Sequence, residues 1–240
     1  MYRGVRRLLQ SGGFGLIDCL DGLAKRWQTE GHHFWAEKAF RGTLLVRKAL
    51  LPSEHPEVSR SLQNLAAALQ RRGSLAQAED LYRQVLVARR GRLGAEHPLT
   101  LSSLDNLGTV LQGLGKGEEA VNTHREAMKG LKKILGAGHL VTLACMSNLA
   151  MALQSQDEWL EATELHHQVV LGRRLILGAG HVSSLASLSN WTKALDTLER
   201  KLGSHDADFL RCQAGRESLL AEAAVLGEAA ACKGHGLMGN

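Results

Sequence analysis

Four histidines, His55, His97, His139 and His181, recur at equal intervals: 97−55, 139−97 and 181−139 are each 42. Imidazole serves as a metal ligand and as a general base, so such a ladder raises both chemistries. Geometry disfavours the metal. Packed helices lie ~8–10 Å apart and Zn–N bonds are ~2.0–2.1 Å, so equivalent residues of successive repeats cannot share an ion. Each histidine is instead expected to cap or pack the start of a helix, where the first N–H groups need partners. His166-His167 is no better as a ligand pair, because His166 takes the repeat position of Phe40 and Tyr82 and reads as a packing residue.

The remaining reactive residues point the same way. Cys19, Cys145, Cys212 and Cys232 form no CxxC pair, and Cys19 and Cys145 share a repeat position with Ser61, Ser103 and Ser187. That slot reads as wanting a small residue, and the cysteines as free thiols in a reducing, cytoplasmic compartment. The stretch "GLGKGEE" (113–119) lacks the spacing of a phosphate loop, and no strand precedes it. No nucleophile, base and orienting group converge. The expectation is a non-catalytic protein without cofactor or metal.

The elements behind this spacing follow from the period. Asn64, Asn106, Asn148 and Asn190 repeat it, and a fixed interval of this size signals a repeat array. The chain has 240 residues, 44% hydrophobic, with three prolines. Abundant Leu, Ala, Gln, Glu and Arg favour an all-α protein. No apolar run approaches the ~20 residues of a membrane span.

Residues 98–135 serve as one unit. Pro98 suits a first helical position, and Leu101, Leu104, Leu107, Val110, Leu111 and Leu114 follow at helical spacing. Gly113, Gly115 and Gly117 break the run. A second run from Glu118 to Leu135 ends at Gly136, a left-handed cap position. Each unit is therefore a helix hairpin.

Upstream, Gly31, Ala36, Phe40 and Leu51 match Gly73, Ala78, Tyr82 and Leu93, and Leu20 and Leu23 match Leu62 and Leu65. The repeats are placed at 17–58, 59–100, 101–142 and 143–184, with a degenerate repeat and capping helix over 185–226 and a frayed tail over 227–240. Within that last part, 206–226 reads as one long amphipathic helix. Residues 1–16 read as the tail of a preceding repeat or a flexible N-terminus.

"SLQNLAAALQRRGSLAQAEDLYRQVL" (61–86) resembles a tetratricopeptide repeat, with Leu65-Ala66 in the first helix, Gly73 at the turn, and Ala78 and Tyr82 in the second. Ordinary repeats of that family have 34 residues. The longer period and its "LGxxHPxT" connector are similar to the subtype of kinesin light chains and nephrocystin-3-like proteins. The resemblance implies a right-handed superhelical solenoid whose first helices line a concave, peptide-binding groove. It covers about residues 17–198, and the heptad-repeat segment of kinesin light chains has no counterpart here.

The first helices carry a second face opposite the apolar one. In the second repeat Arg60, Gln63, Asn64, Ala67, Gln70 and Arg71 share it. Its later members include Asp105, Asn106 and Gln112, then Asn148 and Gln154, then Asn190 and Lys193. Amides donate and accept at once, which suits the main chain of an extended peptide from a partner protein. The same asparagines could equally brace neighbouring helices.

A basic recurrence, Arg47-Lys48, Arg89-Arg90, Lys132-Lys133 and Arg173-Arg174, lies near second-helix ends, where cations complement the helix dipole. A rail for nucleic acid or an acidic surface is the rival reading. Charge opposes it: residues 59–100 hold seven basic and three acidic residues (7−3 = +4), whereas 143–184 hold two and four (2−4 = −2). The expected function is a protein-interaction scaffold. The alternatives are a structural or regulatory segment of a longer protein, and binding to nucleic acid or an acidic surface.

Overall fold

The computed structural model describes residues 14–213, 215, 216, 219 and 220. They are helical with no strand among them. The chain divides into two compact units, Met1–Lys116 and Gly117–Asn240. The first unit holds α1 (Phe14–Thr29), α2 (His33–Leu50), α3 (Pro56–Arg71), α4 (Leu75–Leu93) and α5 (Pro98–Gly113). The second holds α6 (Gly117–Leu135), α7 (Leu140–Ser155), α8 (Trp159–Leu177), α9 (Val182–Leu202) and α10 (Ala207–Gln213). Within each unit every helix packs on the next in sequence, and α10 also packs on α8.

Recurrent small and aromatic residues make this packing possible. Ala36, Ala78, Ala120 and Ala162 stand at one repeat position and are all fully buried, and Phe40, Tyr82, His124 and His166, four residues on, are buried with them. Close helix approach in the second unit also needs Gly172. A Cβ there would sit 2.7 Å from Leu143 Cδ2, well inside van der Waals contact. The second unit's core includes Leu143, Met146, Leu149, Leu153, Ala162 and Val169, and beside them Leu188, Trp191, Leu195, Leu198 and Phe209.

The hairpin turns obey one backbone rule with one exception. Gly31, Gly73 and Gly115 adopt φ of 85°, 87° and 76°, the left-handed region that glycine enters without a Cβ penalty. The fourth turn places Asp157 there at φ 68°. Its carboxylate accepts from Trp159 Nε1 at 2.6 Å and from Lys201 Nζ at 2.6 and 2.7 Å, contacts that offset the unfavourable backbone.

Two expectations need correction. Leu20 and Leu23 match Leu62 and Leu65 by sequence, yet they are 41% and 44% exposed where their counterparts are buried. Helix α1 is the first described helix and packs chiefly on α2, so Leu20 and Leu23 lack the second packed neighbour that buries Leu62 and Leu65. The long helix expected over 206–226 is also interrupted: α10 ends at Gln213, and Gly215 takes φ 83°. The expectations for 1–13 and for 221–240, Cys232 included, lie outside the described residues.

Candidate functional site

The four repeated histidines are N-caps. His55, His97, His139 and His181 have extended backbone, and each Nδ1 accepts from the N–H two residues on, that of Glu57, Leu99, Val141 or Ser183, at 3.1–3.2 Å. This supplies a partner to one orphan donor at the start of α3, α5, α7 and α9. The connector thereby fixes where each first helix begins and which residues face away from the core.

The strip residues can then be placed. In the first unit Asn64, Gln70, Asn106 and Gln112 are half-buried. The Asn64 Nδ2 is buried without a hydrogen-bond partner, and the Tyr82 hydroxyl lies 3.5 Å from Gln70 Oε1. Arg60 is exposed but occupied, donating to Asp18 Oδ1 at 3.2 Å and to the Glu57 carboxylate. Asp105 is only 9% exposed, so it belongs to the packed side of α5 and cannot present its carboxylate as the sequence reading expected. In the second unit Asn148, Gln154 and Asn190 are half-buried and Lys193 is exposed.

Arg47, Arg89 and Arg173, near the second-helix ends, turn inward against the neighbouring first helices. Arg47, taken from sequence as a dipole partner, is fully buried. Its guanidinium donates to Asp21 Oδ2 at 2.5 Å, to Ser61 Oγ at 2.6 Å and to Asp18 Oδ1 at 2.7 Å. Arg89 donates to Ser103 Oγ, to Gln63 Oε1 at 2.6 Å and to the Leu99 carbonyl at 3.0 Å. Arg173 donates to Ser187 Oγ at 2.6 Å. Burial lowers the pKa of Arg89 and Arg173 from the usual guanidinium range, but guanidinium stays charged at any physiological pH.

So the slot read as merely small holds a hydroxyl acceptor wherever an arginine stands fourteen residues earlier. In the remaining pair Leu131 replaces the arginine and Cys145 the serine, and both are fully buried. The Cys145 thiol instead donates to the His124 carbonyl at 3.6 Å. Partly buried ion pairs tie second helices to the following turns, Arg72 with Glu37 and Lys116 with Glu79 at 2.9 Å, and Arg125 of α6 pairs with Glu161 of α8 at 2.9 Å. Hydrogen bonds from Lys116 and then Arg83 hold the Glu79 carboxyl below its usual range.

The aromatic slot differs between units. Burial pushes the Tyr82 hydroxyl up to about 12. His166, buried with both ring nitrogens unpartnered, is pushed down to about 4 by burial and then by Arg173. His167 stacks on Trp191 with centroids 4.6 Å apart, and burial lowers its pKa too. His166 is therefore the packing residue that its position implied.

The tetratricopeptide repeat family pattern matches residues 57–133 and 99–170. The chain is a tetratricopeptide-repeat protein. Its repeats are of the kinesin light chain type. A Podosopora anserina protein, described as a kinesin light chain with nearly identical TPR-like repeats, superposes with a TM-score of 0.69 at 28% identity, covering 86% of this chain and 95% of that one. BtubC (BKLC) of P. vanneervenii superposes with a TM-score of 0.72 over 95% of this chain and 87% of its own, and at 18% identity this likeness is one of fold. Comparison with curated protein sequences returns no match. Repeats of this family bind proteins or peptides, and the fold is typical of non-catalytic scaffolds. This chain is a protein–protein interaction scaffold. Among the described residues no helix is long and apolar enough to cross a membrane.

Proposed function

We propose that the polar faces of α3, α5, α7 and α9 hold an extended segment of a partner protein, with Asn64, Asn106, Asn148 and Asn190 gripping its main chain. The observation that supports this most directly is their common exposure. All four are half-buried at one repeat position, sunk enough to be oriented by their helix. A half-exposed amide offers a donor and an acceptor to a peptide group whatever side chain the ligand carries; Asn64, whose Nδ2 is buried, is given no donor role. Gln70, Gln112 and Gln154, six residues on, extend the same chemistry by nearly two turns, and Arg60 and Lys193 add positive charge near two of the helices. Asp105, being buried, is assigned no contact.

On this reading the hairpins at 17–58, 59–100, 101–142 and 143–184 act as the ligand-holding repeats, and α9 with α10 closes the last one. The working compartment is reducing, as in cytoplasm, since Cys19, Cys145 and Cys212 are free thiols. Panning the purified protein against a random peptide library tests the proposal. Selected peptides should bind in extended form, lose affinity when their backbone amides are N-methylated, and compete with one another. Selection of no binder, or of peptides indifferent to N-methylation, would contradict it.

A further inference from the structure

The first unit carries a second recessed surface, with one face of the second helix α4 as its main wall and the first helix α3 as its floor. A groove of about 660 Å³ is lined by Lys48 of α2, Ser53 and Glu54 of the following loop, Val58 and Leu62 of α3, and one face of α4. That face comprises Arg83, Gln84, Val87, Ala88, Gly91 and Arg92, at offsets 0, 1, 4, 5, 8 and 9, which stack on one side of a helix. Nine residues of helix rise ~13 Å, so the groove runs along α4 for about two and a half turns. Its floor is apolar because Val58 and Leu62 are buried beneath it. It is recessed because Ala88 and Gly91 lack a projecting side chain. Gly91 is a gap without a steric cause: a Cβ there would meet no atom within 4 Å, and its repeat counterpart in α8 is Leu175, 88% exposed.

The rim supplies the second half of the argument. Three cations, Lys48, Arg83 and Arg92, surround the apolar floor and face a single carboxylate, Glu54. Arg83 is partly neutralised by Glu79 at 2.8 Å. Lys48 and Arg92 are exposed, and neither forms an ion pair among the described residues. A trough one helix long, apolar at its base and cationic at its edges, is complementary to a helix with an apolar stripe flanked by carboxylates.

We infer that this groove docks an acidic amphipathic helix of a partner protein, separately from any extended segment held by the first helices. Leucine-sized side chains at helical spacing fill the space over Val58, Leu62, Ala88 and Gly91. Flanking glutamates or aspartates pair with Lys48 and Arg92. The surface lies on α2, the loop after it, α3 and α4, and needs no residue of the asparagine strip, so the two readings stand or fall independently.

The test uses two fluorescein-labelled amphipathic peptides of about four turns, identical in their leucine stripe and flanked by glutamates in one and lysines in the other. Fluorescence anisotropy should show the glutamate peptide binding at least tenfold more tightly. Gly91→Leu, which fills the groove with a better helix former, should weaken it at least tenfold while the melting temperature holds or rises. The charge variant Lys48→Glu with Arg92→Glu should do the same without touching the floor. The pair Asn106→Ala, Asn148→Ala should leave this binding unchanged. Equal affinity for both peptides, full affinity after Gly91→Leu, or displacement of the peptide by random-sequence DNA at lower concentration than by unlabelled peptide would overturn the inference.

Discussion

Arg173 donates to Ser187 Oγ at 2.6 Å, fourteen residues on, as Arg47 does to Ser61 at the same distance three repeats earlier. The pairing joins the end of one repeat to the first helix of the next, so it couples neighbouring hairpins rather than stabilising either alone. In a repeat array the interface terms are what make folding cooperative. The Leu131 and Cys145 pair shows that the same junction can also be made without charge.

Removing the most buried of these cations should be costly. Arg47→Leu leaves Asp21, only 5% exposed, without its counter-charge, and breaking one side of a buried pair costs ~3–5 kcal/mol. Arg47→Leu combined with Asp21→Leu and Ser61→Cys should recover most of that loss. Urea denaturation of the three proteins measures it. A single variant as stable as the parent would mean that the buried guanidinium contributes nothing net.

The histidine caps give a graded prediction. His97→Ala should destabilise by ~0.5–2 kcal/mol, the usual cost of losing a side-chain N-cap, whereas His97→Asn keeps an acceptor and should lie within a few tenths of the parent. Equal losses for both would assign the histidine a packing role instead.

Acid should weaken the second unit through His166. Its pKa falls from an ordinary 6.5 to about 4 on folding, so the unfolded chain takes up the proton first. Stability from this residue is fully present above pH 6.5 and is lost as pH falls from 6.5 towards 4, by roughly 3 kcal/mol at ~1.4 kcal/mol per unit. His166→Phe, copying Phe40 of the same slot, should flatten that part of the stability–pH curve. An unchanged slope in the variant would place the acid sensitivity elsewhere.

The period made much of this legible in advance. A histidine, an asparagine, an alanine and an aromatic recurring in register located the hairpins and which helix face was apolar, because each repeat must bury the same face against its neighbours. What stayed hidden depended on residues paired across repeats or on missing neighbours. Arg47 looked like a helix-end cation until Asp21 and Ser61, on two other helices, were seen to enclose it. Asp105 shared a face with Asn106 by arithmetic alone, yet a helix face has a width, and Asp105 falls on its buried side. Leu20 and Leu23 carry the core pattern without the second neighbour that would bury them. The strained Asp157 gave no signal beyond replacing a glycine.

The central claim is that the asparagines face a ligand, and one double variant tests it most directly. Asn106→Ala with Asn148→Ala removes two amides, each able to make contacts worth ~0.5–1.5 kcal/mol net. Affinity for a library-selected peptide and melting temperature should be measured on the same preparation. Affinity is predicted to fall by about tenfold or more with the melting temperature within a few degrees of the parent. Full affinity together with a lowered melting temperature would contradict the account, because the asparagines would then be braces between helices and not the site.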